Sequence, residues 1–530
     1  MENPNVNEET KKSAGTMLLI RPASPADIPG IIALVSRVYP TMPPYPEAML
    51  LGQINSFPEG HMVALSNDLI VGYCATIRVS EERALSKHTW REITGGGYGS
   101  THDPEGEYLY GYEVCVDPKM QRWRLGKRFY SERRRLCEYL RLKGIVLAGR
   151  IPGYQKKFKE FDTPEKYVAA VQARKVRDQV LGFQLRNGFE PISVLPDYLP
   201  SDSESRGYAV HLLWRNPQRI HVERTQNEQD APAVITERGT INRVRIASVQ
   251  YGQRRVTSFA EFRQQVTYFI DTTSDYGADF VVFPELFTIQ LLSIANEPLR
   301  PHESIAKLTK YGSDIDQMFH ELALKYNINI VGGSTPEMRK DRVYNVAKMY
   351  LRDGRVVAQD KIHPTPNERY WWNVAGGDKV SSIDTDCGPV GILICYDVEF
   401  PELVRYLVDQ GINILFVPFL TDERQSYCRV RYCAQSRAVE NQIYIALSGS
   451  CGNLPNVHNN DIHYAQSCIL TPCDFAFARD GIAADTTPNV EMVAIADVSL
   501  RALRDARYRG TVRNLMDRRH DLYSVVWNKH

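Results

Sequence analysis

The sequence predicts an α/β protein of two domains, a mixed α+β domain followed by a layered α/β domain. First, 530 residues are more than one ordinary hydrophobic core accommodates. Second, the stretch 216–241 is polar and has no clear hydrophobic period, as expected for a linker. Third, apolar runs of strand length alternate with helical patterns in the second half. We therefore expect a disordered tail at 1–16, a first domain at 17–215 and a second domain at 242–530.

The first half is predicted to combine helices with strands. A helix begins near Ser24, because Ser24-Pro25-Ala26-Asp27 has the chemistry of a helix N-terminus. A second helix, rich in Lys and Arg, covers 125–142. The predicted strands are 17–21, 61–65, 69–79, 108–116, 144–148 and 208–214. This succession is typical of a mixed α+β domain.

The second half is predicted to alternate strands and helices. The predicted helices are 258–276, 315–326 and 424–441. The predicted strands are 244–250, 280–283, 328–332, 346–351, 356–360, 390–394, 412–418 and 443–448. Several of these strands are apolar at consecutive positions, which is typical of sheets that are buried on both faces. We therefore expect a layered domain whose functional residues lie at strand ends.

Composition and charge exclude several classes of protein. Hydrophobic residues make up 43% and charged residues 24% of the chain, as in soluble globular proteins. The net charge of +1 gives no argument for nucleic acid or an anionic membrane as a partner. The apolar runs are shorter than the roughly 18 to 20 residues of a membrane span, and the polar N-terminus lacks a signal core. The ten cysteines lack the spacing of zinc or disulfide frameworks, which indicates buried thiols in a reducing, cytoplasmic compartment.

A carboxylate, an ammonium and a thiol follow three apolar strands of the second half, in the order Glu285, Lys361, Cys395. A cysteine is a nucleophile only as thiolate, so Glu285 is the candidate base that takes its proton and later returns it to a leaving amine. Lys361 and the backbone N–H of Tyr396 are candidates to stabilise an oxyanion. Water activated by Glu285 would then hydrolyse a thioester. Glu368, seven residues after Lys361, is a candidate to orient Lys361 or that water.

Each of these residues also has a simpler interpretation when taken alone. A cysteine after an apolar run is usually an inert core thiol. A Pro-Glu pair usually ends a strand with a solvated carboxylate, and a lone lysine is usually a surface charge. Taken alone, Glu368 would be interpreted as an ordinary helix or turn residue. The conjunction of all four favours a catalytic site.

The segments around these residues resemble the nitrilase, or carbon–nitrogen hydrolase, superfamily. They are Val281-Val282-Phe283-Pro284-Glu285-Leu286, Asp360-Lys361-Ile362-His363-Pro364, 391–402, 436–442 and 465–472, in that order within about 241–510. The resemblance implies a four-layer αββα sandwich, self-association through outer helices into at least a homodimer, and no metal or organic cofactor. It also implies Glu285 as base, Lys361 as oxyanion stabiliser, Cys395 as nucleophile and Glu368 as an accessory residue.

The residues after the cysteine narrow the substrate. Tyr-Asp resembles the amidase branches of the superfamily, whereas nitrilases usually carry Trp-Glu, so a small-molecule amide is the expected substrate. Glu399 stands where many amidase relatives have a basic residue, which weakens the case for small dicarboxylate substrates. Asp422 and Glu423 either line the pocket and favour a cationic amine or, as we favour, belong to a solvated loop.

A glycine-bearing turn follows the strand 108–116 and leads into the basic helix of the first half. Free N–H groups and the helix dipole at such a turn bind anions such as phosphate. Arg133, Arg134 and Arg135 are expected on a solvated helix face. Sparse aromatic residues argue against nucleic-acid binding. The candidate cofactor-binding residues are Val114, Val116, Gln121, Arg122, Arg124, Leu125, Gly126 and Lys127.

Residues 17–215 resemble the GNAT acetyltransferases. Gln121 and Gly126 match the acyl-CoA turn of that family, and Arg124 replaces its first glycine. The resemblance implies acetyl-CoA as cosubstrate. Relatives often use a tyrosine general acid where this chain has Gln184, and Glu113 is either a general base for an amine or a structural strand residue. The first half is therefore either an N-acetyltransferase or a non-catalytic module that binds acyl-CoA or extends an oligomer interface.

Overall fold

The computed structural model describes residues 18–40, 45–216, 242–458 and 462–528, with the backbone alone at 121 and 122. The predicted tail and all but the first residue of the predicted linker lie outside the described residues. Contacts divide the chain into two compact units, with the division between residues 240 and 241.

The N-terminal unit contains one seven-stranded sheet in the order β1-β2-β3-β4-β5-β7-β6. All neighbouring strands are antiparallel except β4 and β5. The strands are β1 (Leu18–Pro22), β2 (Met62–Ser66), β3 (Leu69–Val79), β4 (Tyr108–Val116), β5 (Gly144–Arg150), β6 (Glu190–Leu195) and β7 (Ala209–Arg215). The helices are α1 (Ile28–Val38), α2 (Glu47–Ser56), α3 (Glu81–Leu85), α4 (Trp90–Thr94), α5 (Leu125–Tyr139), α6 (Tyr154–Lys157), α7 (Pro164–Gln172) and α8 (Gln179–Arg186). Short 3-10 helices cover Pro25–Asp27, Pro58–Gly60 and Pro118–Trp123.

Helices cover both faces of this sheet. Leu109 packs in a core with α5, α7 and α8, whereas its neighbour Tyr110 packs in a core with α3 and α4. Successive strand residues point to opposite faces, so both cores share the same strands. A further core joins α1 and α2 to β2 and β3.

The parallel strands β4 and β5 separate part-way along their length. They pair only where Tyr108–Gly111 lies beside Gly144–Leu147. Beyond this point β4 continues beside β3, and β5 continues beside β7. A gap therefore opens in the sheet next to the C-terminal half of β4, which leads through a 3-10 helix into α5.

The C-terminal unit is built from two stacked sheets. Their strands are β8 (Arg243–Gly252), β9 (Phe280–Val282), β10 (Asn329–Arg339), β11 (Arg342–Tyr350), β12 (Val356–Asp360), β13 (Val374–Ala375), β14 (Ile383–Thr385), β15 (Gly388–Ile392), β16 (Ile414–Phe419), β17 (Tyr444–Asn453), β18 (Ile462–His463), β19 (Cys468–Leu470), β20 (Ile482–Asp485) and β21 (Met492–Ser499). One sheet has the order β12-β11-β10-β9-β8-β21, and the other β14-β15-β16-β17-β19-β20. A two-residue pairing of β8 with β17 links them.

Helices cover the outer face of each sheet. They are α9 (Phe259–Asp275), α10 (Leu292–Ala295), α11 (Pro301–Leu308), α12 (Gly312–Tyr326), α13 (Pro366–Trp371), α14 (Pro401–Asp409), α15 (Arg424–Asn441) and α16 (Leu500–Arg509), with 3-10 helices at Phe287–Leu291, Thr309–Tyr311 and Cys395–Glu399. Between the sheets, the rings of Phe280 and Phe416 lie 5.0 Å apart. α9 and α12 pack on the first sheet, and α14 and α15 pack on the second. The predicted αββα sandwich is confirmed.

Among the described helices, none combines the length and apolar character that crossing a bilayer requires.

Candidate active site

Glu285 lies in the loop after β9 and is 2% exposed. Its Oε1 accepts hydrogen bonds from Lys361 Nζ at 2.8 Å and from Asn345 Nδ2 at 2.9 Å. Its Oε2 accepts one from the backbone N–H of Leu420 at 3.0 Å. Three donors from three different segments therefore fix the orientation of this carboxylate.

Lys361 directly follows β12 and is 1% exposed. Its Nζ donates to Glu285 and, at 2.7 Å, to Oε2 of Glu368. Its own backbone N–H donates to the carbonyl of Asn345 at 2.9 Å. The ammonium is thus held between two carboxylates, out of contact with water.

Glu368 belongs to the first turn of α13 and completes a capping box with Thr365. The Glu368 N–H donates to Thr365 Oγ1 at 3.2 Å, and the Thr365 N–H donates to Glu368 Oε2 at 2.7 Å. Its Oε1 also accepts a hydrogen bond from Asn345 Nδ2 at 3.1 Å. Glu368 is therefore both a helix-capping residue and a partner of Lys361, so the two interpretations of the sequence are compatible.

Cys395 is the first residue of a 3-10 helix, three residues beyond the end of β15. Its φ of 49° lies in the left-handed region, which non-glycine residues rarely adopt. The thiol, in a residue 6% exposed, lies 3.7 Å from the carbonyl of Leu420, the residue whose N–H donates to Glu285. The N–H of Tyr396 lies in the first turn of the helix, where amides have no partner within the helix.

Two further residues hold the loop that carries Cys395. The fully buried carboxylate of Asp397 accepts hydrogen bonds from the N–H groups of Ile362 at 3.0 Å and His363 at 2.7 Å. Arg437 on α15 donates to the carbonyl of Glu399 at 3.0 Å. Asp397 thereby ties the cysteine loop to the loop that follows Lys361.

Sequence reasoning assigned no role to Asn345, Asp397 or Arg437. The available signal was weak: each is a polar or charged residue in an otherwise apolar strand, turn or helix face. Such residues are usually explained only by the partners that the fold brings to them.

Burial and neighbouring charges set the protonation of the site. Burial raises the pKa of Glu285, and the charge of Glu368 adds to this effect while Lys361 opposes it. Burial disfavours the ammonium of Lys361, but the two carboxylates outweigh it and raise its pKa well above 10.5. Burial also raises the pKa of the Cys395 thiol well above 9.0, and the charge of Glu285 raises it further. At neutral pH the thiol of Cys395 is therefore protonated, and Lys361 carries its positive charge.

Glu368 behaves differently from Glu285 although it is just as deeply placed. Burial disfavours its charge, but Lys361 and its hydrogen-bond donors lower its pKa below the ordinary value of 4.5. The two carboxylates are thus pushed apart in pKa, which is the usual basis for assigning different acid–base roles to two neighbouring acids.

In the part of the chain that the structure describes, no group of three or more His, Cys, Asp or Glu side chains is arranged to hold a metal ion.

The predicted cofactor-binding residues of the N-terminal unit lie beside the gap between β4 and β5. Val114 and Val116 are on the half of β4 that does not pair with β5. Leu125, Gly126 and Lys127 form the first turn of α5. Arg124 precedes them in a left-handed conformation with φ 52°. Gln121 and Arg122 belong to the 3-10 helix before it. At Gly126, a Cβ would lie 3.2 Å from the ring of Phe183, so a side chain fits there only if that ring moves.

Glu113 lies on β4 next to this gap and is bound by two tyrosines. Its carboxylate accepts hydrogen bonds from the hydroxyls of Tyr39 at 3.2 Å and Tyr45 at 2.5 Å. Burial raises its pKa above the ordinary value, and the two hydroxyls oppose this. Gln184 on α8 is 6% exposed, and its Oε1 has no hydrogen-bond partner among the described residues.

The predicted solvated face of the basic helix is wrong for Arg133, which is 1% exposed. Its guanidinium donates to Oγ1 of Thr76 at 2.8 Å and to the carbonyls of Ala75 and Glu113, each at 2.7 Å. The sequence pattern could not reveal these acceptors, because they lie on strands β3 and β4.

The neighbours of Arg133 are less deeply placed. Arg134 is partly buried over the ring of Trp214, at 5.3 Å from its centroid, and Arg135 pairs with Glu132 at 3.0 Å.

In the second half, Asp422 and Glu423 are exposed, as the favoured loop interpretation predicts.

Comparison with known proteins decides the family. A sequence profile described as carbon-nitrogen hydrolase matches residues 245–508. "Probable hydrolase YhcX" of Bacillus subtilis (strain 168) is 44% identical over 512 residues, which are 97% of this chain and 98% of that protein. The chain belongs to the carbon-nitrogen hydrolase family. The resemblance of the second half to this superfamily is therefore confirmed.

Two more relatives match one half of this carbon-nitrogen hydrolase each. The N-terminal region is homologous to "Uncharacterized N-acetyltransferase YkwB" of Bacillus subtilis (strain 168), with 34% identity over 205 residues, 38% of this chain and 89% of that protein. "Omega-amidase NIT3" of Saccharomyces cerevisiae is 26% identical over 300 residues, 54% of this chain and 97% of that protein. A crystal structure of Saccharomyces cerevisiae Nit3, a member of branch 10 of the nitrilase superfamily, covers 50% of this chain and 93% of that one with a TM-score of 0.41.

Proposed function

We propose that the C-terminal domain hydrolyses a carboxamide through a thioester on Cys395. The observation that carries this proposal is the position of Glu285, whose carboxylate lies 2.8 Å from the Lys361 ammonium. The same carboxylate accepts the N–H of Leu420, whose carbonyl lies 3.7 Å from the Cys395 thiol. A base, a nucleophile and a fixed positive charge are the parts that thiol-based amide hydrolysis needs.

In the first step, Glu285 takes the proton of the thiol as Sγ attacks the amide carbonyl carbon. The oxygen of the tetrahedral intermediate gains negative charge, which Nζ of Lys361 and the N–H of Tyr396 stabilise. Glu285 then gives the proton to the leaving nitrogen, the carbon–nitrogen bond breaks, and ammonia or an amine departs. The acyl group remains on Sγ as a thioester.

In the second step, water replaces the amine. Glu285 takes a proton from the water as its oxygen attacks the thioester carbonyl, and the same donors stabilise the new oxyanion. The carbon–sulfur bond then breaks, the proton returns to Sγ, and the carboxylic acid leaves. Glu285 thus serves as base and acid once in each step, which a raised pKa favours.

The hydrogen bond from the Leu420 N–H to Oε2 of Glu285 supports the role of Glu285 as base and acid. It leaves Oε1 to Lys361 and Asn345, and it aims the carboxylate at the segment whose carbonyl holds the thiol. The yeast relative named an omega-amidase supports an amide as the substrate class.

The test compares Cys395→Ala with Cys468→Ala, a substitution of another buried cysteine in the same domain. We expect Cys395→Ala to abolish turnover of an amide panel and the acyl adduct that mass spectrometry detects after quenching. The Cys468→Ala variant should retain both. Turnover by Cys395→Ala at more than a few per cent of the wild-type rate would refute the thioester route.

A second candidate function concerns the N-terminal domain: we infer that it transfers an acetyl group from acetyl-CoA to an amine. Glu113 carries this inference, because a partly buried carboxylate of raised pKa beside an open gap in the sheet suits removal of a proton from an amine. The candidate cofactor-binding residues at the start of α5 would hold the pyrophosphate, since the N–H groups of a helix N-terminus bind anions and the adjoining sequence is rich in Arg and Lys.

Calorimetry with acetyl-CoA and product analysis with a panel of amines distinguish an active N-acetyltransferase from a non-catalytic module that binds acyl-CoA. We expect acetyl-CoA binding that Gly126→Leu weakens at least tenfold, and acetylated products that Glu113→Gln abolishes without loss of binding. Binding without any product would favour the non-catalytic module. An absence of binding at millimolar acetyl-CoA would contradict both.

A further inference from the structure

We propose that Glu399 makes the hydrolase selective for amides whose acyl chain ends in a positively charged amine, an inference that rests on the proposed hydrolase function. Glu399 is the last residue of the 3-10 helix that begins at Cys395. It is therefore fixed to the same short, strained segment as the nucleophile.

The side chain of Glu399 is placed to meet a substrate. It is 17% exposed, so it is neither a free surface charge nor sealed in the core. Burial raises the pKa of its carboxyl, and the charges of Arg429 and Lys361 oppose this effect. A partly exposed carboxylate on the same short helix as the nucleophile can meet the far end of a substrate bound at Cys395.

Among the residues that the structure describes, the arginine that pairs with Glu399 is a loose partner. Nε of Arg429 lies 3.9 Å from Oε1 of Glu399, and the Arg429 side chain is 64% exposed. For comparison, Lys361 lies 2.8 Å from Glu285. A contact of 3.9 Å is longer than a hydrogen bond, and an exposed arginine loses much of its attraction to solvent screening. Consistent with this, burial raises the pKa of Glu399 despite the opposing charge of Arg429.

The other nearby arginine is engaged elsewhere. Arg437 donates through Nε to the carbonyl of Val398 at 3.2 Å and through Nη2 to the carbonyl of Glu399 at 3.0 Å. Its Nη1 donates to the carboxylate of Glu440 at 3.3 Å. Arg437 therefore positions the backbone of Glu399 and leaves its carboxylate available for a ligand.

The balance of charge in the site also favours a positively charged substrate group near Glu399. The ammonium of Lys361 is already shared by Glu285 and Glu368. A substrate carboxylate near Glu399 would add another negative charge to a partly desolvated region, which is unfavourable. A substrate ammonium there would supply the close partner that Arg429 does not.

Three amides of matched length test this selectivity. δ-Aminovaleramide ends in an ammonium, hexanamide in a methyl group of similar size, and glutaramate in a carboxylate. For the wild type we expect kcat/KM to be at least about tenfold higher for δ-aminovaleramide than for hexanamide, and lowest for glutaramate. In Glu399→Gln the preference should fall to within about twofold, mainly through KM, and in Glu399→Arg glutaramate should overtake δ-aminovaleramide.

Asp422→Asn and Glu423→Gln are the matched controls, because these acids are exposed. Both should keep the wild-type order of substrates. Equal rates of the wild type for the three amides, no turnover of any of them, or an unchanged tenfold preference in Glu399→Gln would overturn the role of Glu399.

A separate measurement of Cys395 acylation distinguishes failure of the Glu399 inference from failure of the proposed hydrolase function. Acylation of Cys395 by p-nitrophenyl acetate, an uncharged activated ester, reports the nucleophile without any charge recognition. A wild type that is acylated by the ester but shows no preference among the three amides would refute the inference alone. A wild type that is not acylated would refute the hydrolase mechanism.

Discussion

The Nζ of Lys361 lies 2.8 Å from Oε1 of Glu285, and the two side chains are 1% and 2% exposed. Because Glu368 holds the other side of the same ammonium, one positive charge balances two buried carboxylates. Solvent does not reach this cluster, so its members depend on each other for charge balance. Removing the central charge therefore affects folding as well as chemistry.

We predict that Lys361→Met lowers the free energy of unfolding of the hydrolase domain by about 3–5 kcal/mol and abolishes turnover, because two carboxylates stay buried without a cation. Lys379→Met, at an exposed lysine of the same domain, should change stability by less than about 0.5 kcal/mol. Hydrogen exchange followed by mass spectrometry measures both variants in the full chain. The double variant Lys361→Met/Glu368→Gln should regain part of the stability and none of the activity. A Lys361→Met protein as stable as the wild type would contradict this account.

A second prediction concerns the acid limb of the activity profile. The base must be an ionised Glu285, whose pKa burial raises above 4.5, so kcat/KM should fall as the pH falls through that raised value. The charge of Glu368 raises the pKa of Glu285 further, so Glu368→Gln should shift the limb to lower pH. The pKa values of Lys361 and Cys395 are both raised well above their ordinary values, so no alkaline limb is expected below about pH 9.

The measurement is kcat/KM from roughly pH 4 to 10 at constant ionic strength, for wild type, Glu368→Gln and Glu402→Gln. Glu402 is an exposed acid on α14, so its variant should keep the wild-type limb. An identical limb in Glu368→Gln would mean that the two carboxylates are not coupled.

The order Glu285, Lys361, Cys395 could be recognised from the sequence because each residue follows an apolar run. Strand ends in stacked sheets of this kind meet at one edge, so such a pattern predicts a shared site. Asn345 could not be recognised, although it contacts both Glu285 and Glu368. It lies 60 residues from Glu285, and only the register of β11 in the folded sheet brings its amide to the carboxylates.

Secondary structure was predictable where an element is long. The predicted helix 424–441 has the bounds of α15, whereas β18 and β19, with two and three residues, are too short to show a pattern. The misjudged Arg133 shows the same limit. An arginine in a basic helix has the pattern of a solvated residue, and only the carbonyls of neighbouring strands explain its burial.

A third prediction follows from the burial of Arg133. Arg133→Met should destabilise the N-terminal domain by several kcal/mol, about 1–3 kcal/mol for each of the acceptors left unsatisfied at Thr76, Ala75 and Glu113. Arg135→Met, two residues along the same helix, removes a partly exposed pair with Glu132 and should cost less than about 1 kcal/mol. Chemical denaturation with hydrogen exchange assigns each loss to its domain. Similar losses in the two variants would contradict the structural role of Arg133.

The last prediction concerns His61, whose imidazole is fully buried between the carbonyl of Phe57 at 2.7 Å and the hydroxyl of Tyr112 at 2.8 Å. Burial lowers its pKa from 6.5 to about 4, and the charge of Arg133 contributes. Between these two values the unfolded chain binds a proton that the folded domain does not bind. Stability is therefore complete above about pH 6.5 and decreases as the pH falls towards 4.

Acidification from about pH 7 to about pH 5 should thus reduce the free energy of unfolding of the N-terminal domain by about 2 kcal/mol through His61 alone. The measurement is hydrogen exchange of β2 and β4 at both pH values, corrected for intrinsic rates. His61→Gln should lower stability at neutral pH and remove this part of the pH dependence. His302→Gln, at an exposed histidine of the other domain, should leave it unchanged. If wild type and His61→Gln lose the same free energy on acidification, the buried imidazole is not the group that titrates.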